Sequence, residues 1–536
     1  MELLRREDGI EKYLTVNPGS VFAAGLHEYL VRVVGAQHLL TWEEATRRPF
    51  QLAVACAVHP SMGRLDAPLM VMPHGAGYNR LVSQSTGDAV SPAGLSRREL
   101  VHRGKVIPAV IGLSHPDQLP RLGRSCPEAV PRAQTIGDWC YQRLRDSECR
   151  RDQYRAVLGV ADGRRLVVIH STWSEHSLLG RHPRLPLDLM TALPADEFAV
   201  AAVFHPNVWA RHSWAAVLER LREPMDAGLM VIPPQEGWRA AVVASDWVIG
   251  DHGSTTFYSA AADRLTLLAT TGIEELDPDS PAAAFGRTAP GLDPEGDLYE
   301  QLLRAERDHA PHALRPVVDS QLADVEKSGE LTQQRMYEFL EHHGVTPPRR
   351  PPPPMPVPDP EPERTRPPTA YEVTGTVADD GAVEVRRWPM VAGHHEEDRG
   401  FYAVAAESPH ALWYHAADVV ARTVPVAVPS PSEWCLREVP KRPGAAVLVA
   451  RIDAASAVVW LRGALFEART VRPWGERQPE LDPLLLGAAV NLWLTHGRSG
   501  AELARGLVVR TGRRSIRIEF TRPADDRHGA EAHTQV

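Results

Sequence analysis

Ser254 and Thr255 stand where an apolar run gives way to small polar residues. Trp247-Val248-Ile249 reads as a strand, Gly250 to Thr256 as a turn, and Phe257 to Ala262 as the first turns of a helix. A strand that ends in hydroxyl residues at a helix start is suited to an anion. Unbonded backbone N–H groups and the helix dipole favour negative charge there, and hydroxyls add donors. Asp251, His252, Gly253, Ser254 and Thr255 are therefore candidate donor-binding residues for a phosphate or diphosphate.

Other candidates share that placement. His205-Pro206 follows the run Phe198 to Phe204, so its imidazole falls at a strand tip, where it could donate to a phosphate or protonate a leaving oxygen. His74, in Pro73-His-Gly-Ala-Gly-Tyr-Asn79, follows Leu69 to Met72 and is a candidate base on an acceptor hydroxyl. Ser171 and Thr172 close the run that begins at Arg165, and either bind a ligand or cap the next helix. Glu236 follows Val231-Ile232 and two prolines. It could hold ribose hydroxyls or serve as an N-terminal helix charge. His394-His395-Glu396-Glu397-Asp398 is rich in ligand types, but adjacent residues diverge, so a solvated loop is expected and no metal is assigned. GxGxxG, Walker A, HExxH and GxSxG patterns are absent.

The elements that must position these residues alternate. Strands are expected at Gln51–Val58, Pro68–Met72, Val106–Gly112, Arg165–His170, Phe198–Phe204, Leu229–Ile232, Trp247–Ile249 and Leu265–Ala269. Helices are expected at Asp152–Leu158, Trp214–Arg222, Trp238–Ala244 and Leu331–His342. Such alternation predicts α/β units with parallel sheets, in two Rossmann-like halves of 1–150 and 151–345 with a cleft between them. Residues 346–369 are half proline, predicting a semi-rigid polyproline II spacer and a last domain that moves almost independently. Residues 370–536 mix strand-like runs with helices at Pro409–Val424 and Asp482–Thr495, read as an α+β accessory domain of unassigned role.

Composition sets outer limits. A length of 536 residues exceeds one ordinary domain. The net charge of −9 argues against nucleic acid as the main partner. Cys56, Cys126, Cys140, Cys149 and Cys435 form no CxxC pair, which fits a reducing compartment. No apolar run is long enough to span a bilayer, and Met1 to Asp8 predicts no Sec-type leader, so a cytoplasmic chain is expected, with peripheral contact at the inner membrane face left open.

The order of these motifs resembles a known group. Residues from about 50 to 345 are similar to GT-B-type CDP-glycerol glycerophosphotransferases, and more distantly to UDP-N-acetylglucosamine 2-epimerase-like proteins. The likeness rests on His74-Gly75, Gly137-Asp138 with Arg143, Phe204-His205-Pro206, and Ala244 to Asp251 followed by Ser254-Thr255. Pro73 stands where the family has tryptophan, and His252-Gly253 before the hydroxyls is more like sugar-nucleotide glycosyltransferases. The resemblance implies a CDP- or UDP-linked donor, a cytidine one first, and a hydroxyl acceptor in cell-envelope or surface-polymer synthesis, at the membrane. It implies that His205, Ser254 and Thr255 grip the donor diphosphate and that His74 is the base, with no cofactor beyond the nucleotide-activated substrate. A catalytically degenerate nucleotide-sugar-binding protein on the same scaffold is the alternative.

Overall fold

The computed structural model describes all residues except 1–2, 6–7, 18–25, 27–29, 32–33, 35–37, 82–87, 161–162, 364–366, 394–399, 426, 473–477 and 523–536. The histidine-rich run at 394–398 thus lies outside the described residues.

Two parallel sheets form the first two thirds of the chain. The first holds β1 (Ala53–Ala55), β2 (Leu69–Val71), β3 (Val110–Leu113) and β4 (Ala133–Thr135), side by side in chain order. The expected strand at Val106–Gly112 divides. Lys105–Val106 joins a small hairpin with Val101–His102, and Pro108, which lacks an N–H, separates it from β3.

The second sheet holds β5 (Arg165–Ser171), β6 (Phe198–Phe204), β7 (Met230–Ile232), β8 (Trp247–Gly250) and β9 (Leu265–Leu268), in the order β7-β6-β5-β8-β9. Both faces are covered. Leu166 and Val168 pack on one side and Val167 and Ile169 on the other. That is why β6 reads as the unbroken run Phe-Ala-Val-Ala-Ala-Val-Phe rather than alternating. The strand order reverses between β5 and β8, so a crevice opens at their carboxyl ends. Two helices frame it: α1 (Pro206–His212) after β6 and α2 (Ser254–Ala261) after β8. A third, α3 (Ser328–Glu341), crosses back to the first sheet, where Met336 packs with Met70, Val110 and Ile136.

The proline-rich segment does not hang free. The Val357 N–H donates to Ser147 Oγ at 2.8 Å, and its carbonyl accepts from Tyr154 Oη at 2.7 Å. Arg143 donates to the carbonyls of Met355 and Pro356, and the Glu363 N–H to that of Val231. Proline carbonyls remain acceptors although the ring removes the donor, so the segment is strapped down by donors from the α/β body.

The last domain corrects the α+β expectation. Its strands are β10 (Ala370–Val377), β11 (Val383–Pro389), β12 (Phe401–Ala405), β13 (Val419–Arg422), β14 (Val447–Arg451), β15 (Ser456–Leu461), β16 (Ala464–Thr470), β17 (Leu507–Thr511) and β18 (Arg514–Thr521). They form a closed barrel of nine strands in the order β10-β11-β17-β18-β16-β15-β14-β13-β12. Closure depends on pairing β11 with β17 and β10 with β12, contacts between residues distant in sequence. The expected helix at Pro409–Val424 is shorter, α4 (Ala411–Ala416). Ala417 is extended and the β-branched Val419-Val420 continue as β13. Helix α5 (Pro483–Thr495) is buried along its length, apolar on every side as a core helix must be. Gly487 permits its approach, since a Cβ there would come within 2.4 Å of Val419 Cγ1.

The barrel is anchored rather than independent. Buried Arg387 forms two hydrogen bonds to Asp196, at 2.7 and 2.9 Å, and Arg386 pairs with Glu197. The Ala195 N–H also donates to the Arg387 carbonyl. Among the described residues, no helix is long and apolar enough to cross a membrane.

Candidate functional site

The two halves meet along a seam made by their strand-end loops. Arg80 bridges Leu276 in antiparallel fashion. The Leu81 N–H donates to the Glu275 carbonyl and that of Asp277 to the Asn79 carbonyl, at 2.7 and 2.8 Å. Buried Arg121 pairs with Asp277, and Tyr258 on α2 donates to Asp138 at 2.7 Å. Gly75 lies directly against Ser254, because a Cβ on Gly75 would meet Ser254 Oγ at 2.5 Å. That approach brings His74 of the first half to the start of α2 in the second.

Gly253 is the N-cap of helix α2, and no side chain caps the helix. Its first N–H groups lie with the half-buried Ser254 and Thr255 at the end of the helix where the dipole is positive. Asp251 supports this turn from below. Fully buried, it accepts from the Thr172 N–H at 2.8 Å, Thr172 Oγ1 at 2.9 Å, the Leu178 N–H at 3.0 Å and the Gly253 N–H at 3.0 Å. Its carboxylate is thus committed to backbone and to Thr172, tying the loop after β5 to the loop after β8. Ser171 is committed likewise, accepting from the Leu179 N–H and donating to the Thr172 carbonyl. Ser171 thus meets the first turn of the next helix, whose N-cap is Ser177, whereas Thr172 donates to Asp251 and caps no helix.

His205 and His74 converge on the seam with opposite roles. His205 Nδ1 accepts from the Asn207 N–H at 3.1 Å, capping α1, so in the neutral ring the proton sits on Nε2, a donor. Burial, reinforced by the positive charges of His74 and Arg80, pushes His205 down to about 3. His74 gives one ring N–H to the Cys56 carbonyl, which leaves its other nitrogen an acceptor. Burial is the main cause that lowers its pKa; the Cys56 bond opposes this and the Arg80 charge adds to it. His74 nevertheless keeps exposed surface. One neutral histidine is therefore set to donate and the other to accept.

Three further residues belong to the cluster. The Trp173 ring lies 6.3 Å from that of His205, with the Arg80 guanidinium 4.5 Å and that of Arg211 4.2 Å from its centroid. Arg80 also pairs with Glu275 at 2.7 Å. Burial pushes Glu275 up, but the His252 hydrogen bond and the Arg80 charge outweigh it and hold the carboxyl at about 2. His252 Nε2 meets Glu275 at 3.0 Å, so this candidate is bound to the seam's own carboxylate. Glu236 stands apart. It pairs with Arg239 after β7, the outer strand of the sheet, rather than at the strand-order reversal. The sequence signal for Trp173 was its place directly after Thr172. Arg211 had only its position on the turn of helix that His205 begins.

Two concavities of about 310 and 320 Å³ lie along the same interface. They are lined by Arg121, Asp279 and Arg287, and by Tyr141, Arg145 and Arg315. Neither is lined by the histidine cluster. Among the described residues, no group of three or more His, Cys, Asp or Glu is placed to hold a metal ion.

No family model matches this chain, and no curated protein matches it. Solved structures do. The chain is similar to the wall teichoic acid polymerase TagF at 11% identity, covering 64% of this chain and 92% of that one, with a TM-score of 0.42. It is similar to HepE from Anabaena, determined with UDP-glucose, at 12% identity over 52% of this chain and 72% of that one, with a TM-score of 0.29. WaaG, a glycosyltransferase involved in lipopolysaccharide biosynthesis, shares 14% identity over 60% and 84%, with a TM-score of 0.33. Likeness at this level carries no argument about chemistry, which rests on the chain's own side chains.

Proposed function

We propose that this chain is a GT-B-type transferase. It would move a glycerophosphate or glycosyl group from a CDP- or UDP-linked donor to a hydroxyl acceptor of a cell-envelope or surface polymer. The observation that carries this reading is the uncapped start of α2, where Ser254 packs against the glycine turn after the accepting His74, with the donating His205 at another strand end of the same sheet. The acceptor hydroxyl gives its proton to the ring nitrogen of His74 that does not donate to Cys56. Its oxygen attacks the donor's reactive carbon or phosphorus, and the bond to the leaving nucleotide oxygen breaks. The electron pair stays on that leaving group, where His205 Nε2–H, the two hydroxyls and the α2 N–H groups meet the developing charge. Fixed donors already in position need no reorganisation at that moment.

The second reading, a degenerate nucleotide-sugar-binding protein, is favoured by the close approach of Gly75 to Ser254 and by Glu275, which neutralises Arg80. Turnover of CDP-glycerol and UDP-glucose with a polyol acceptor separates the two. The transferase reading expects nucleotide release that depends on acceptor and falls by about 10²–10⁴ in His74→Ala. Nucleotide binding without turnover in the wild type supports the second reading. Release without acceptor indicates a hydrolysing, epimerase-like enzyme.

A further inference from the structure

Arg80 and Arg211 flank one indole, but only one is neutralised. Arg80 has Glu275 at 2.7 Å. Arg211 is exposed, and among the described residues it has no ion pair. Its position is nonetheless fixed. It lies in the last turn of α1, the short helix that His205 caps at its start. That helix is pinned by Trp209, whose indole N–H reaches the Phe204 carbonyl and whose ring lies tilted 4.2 Å from that of Trp214. The Trp173 backbone follows Thr172, whose methyl would lie 2.7 Å from a Cβ on Gly253, the N-cap of α2. Arg211 therefore holds an exposed charge on the face of the ring that lies 6.3 Å from His205, the donor histidine of the proposed anion site.

We propose that Arg211, steadied on Trp173, takes the second phosphate of a nucleoside diphosphate and so sets the preference for diphosphate over monophosphate ligands. The proposal rests on the donor-site reading above. A guanidinium fork suits phosphate oxygens, and stacking on an aromatic ring limits the freedom it must lose on binding.

The test is calorimetric titration of CDP, CMP, UDP and UMP into the full chain and into Arg211→Gln and Arg211→Lys. Thermal unfolding of each variant checks the fold, which substitution of an exposed side chain should preserve. Expected is a wild-type preference for each diphosphate of about tenfold or more. Arg211→Gln should erase most of that preference while leaving monophosphate affinity unchanged, and Arg211→Lys should fall between. Added salt should narrow the wild-type preference more than that of Arg211→Gln. A wild type that binds nucleotides with the same preference as Arg211→Gln overturns the role of Arg211 alone. Equal losses for mono- and diphosphates in Arg211→Gln overturn it too. A wild type that binds no nucleotide overturns the proposal together with the donor site beneath it.

Discussion

The two α/β halves bring unequal chemistry to their shared seam. The first half contributes His74, an acceptor nitrogen on a glycine turn, and Arg80, already paired with Glu275. The second contributes the start of α2, two hydroxyls, His205 as a donor and the unpaired Arg211. The difference follows from strand order. The first sheet runs β1 to β4 in sequence, without a reversal, whereas the second reverses between β5 and β8, opening its loops into a crevice. On the proposed reading this is a division of labour, with proton acceptance assigned to one side and anion binding to the other.

The largest expected effect comes from breaking the second half's support. Asp251→Ala strands four donors around a buried hole and should cost about 3 kcal/mol or more of stability. Denaturant melts check the cost, and nucleotide affinity should fall with it. His74→Ala should cut turnover by about 10²–10⁴ yet leave nucleotide affinity unchanged, which initial-rate kinetics beside a binding titration would check. Equal loss of both would erase the distinction between the halves.

Acid should reach the second half's histidines. His170 and His205 are both held down to about 3, chiefly by burial, against about 6.5 for an ordinary histidine. The folded state thus binds fewer protons than the unfolded chain in that window. Their contribution to stability is complete above pH 6.5 and is lost as pH falls toward 3. Urea unfolding from pH 7 to 4 should show this slope, and His170→Leu should flatten it. The smallest effect is expected at the sheet's edge, where Glu236→Gln should change nucleotide affinity by under about 0.5 kcal/mol in calorimetry.

Most of the α/β body was legible because parallel strands buried on both faces are unbroken apolar runs. Phe198–Phe204 and Trp238–Ala244 carry the bounds expected of them. The placement of His74, His205, Ser254 and Thr255 at strand ends followed from those runs. What Asp251, Ser171 and His252 touch did not. A polar residue at a strand end can face a ligand or a neighbouring loop, and only tertiary packing decides. Arg211 and Glu275 were missed for the same reason, since their partners are distant in sequence. The barrel was least legible. Its strands show locally, but closure is a long-range pairing, and the valines that make β13 stood next to a short helix. The proline-rich segment was read from its missing donors, whereas its carbonyls decide where it docks.

One measurement bears most directly on the division between the halves: calorimetric titration of CDP, CMP, UDP and GDP into the wild type, His74→Ala and the double variant Ser254→Ala/Thr255→Ala. Saturable binding of one nucleotide is expected, unchanged in His74→Ala and weakened about tenfold, roughly 1.4 kcal/mol, in the double variant. Binding of no nucleotide, or loss in His74→Ala with none in the double variant, would contradict it.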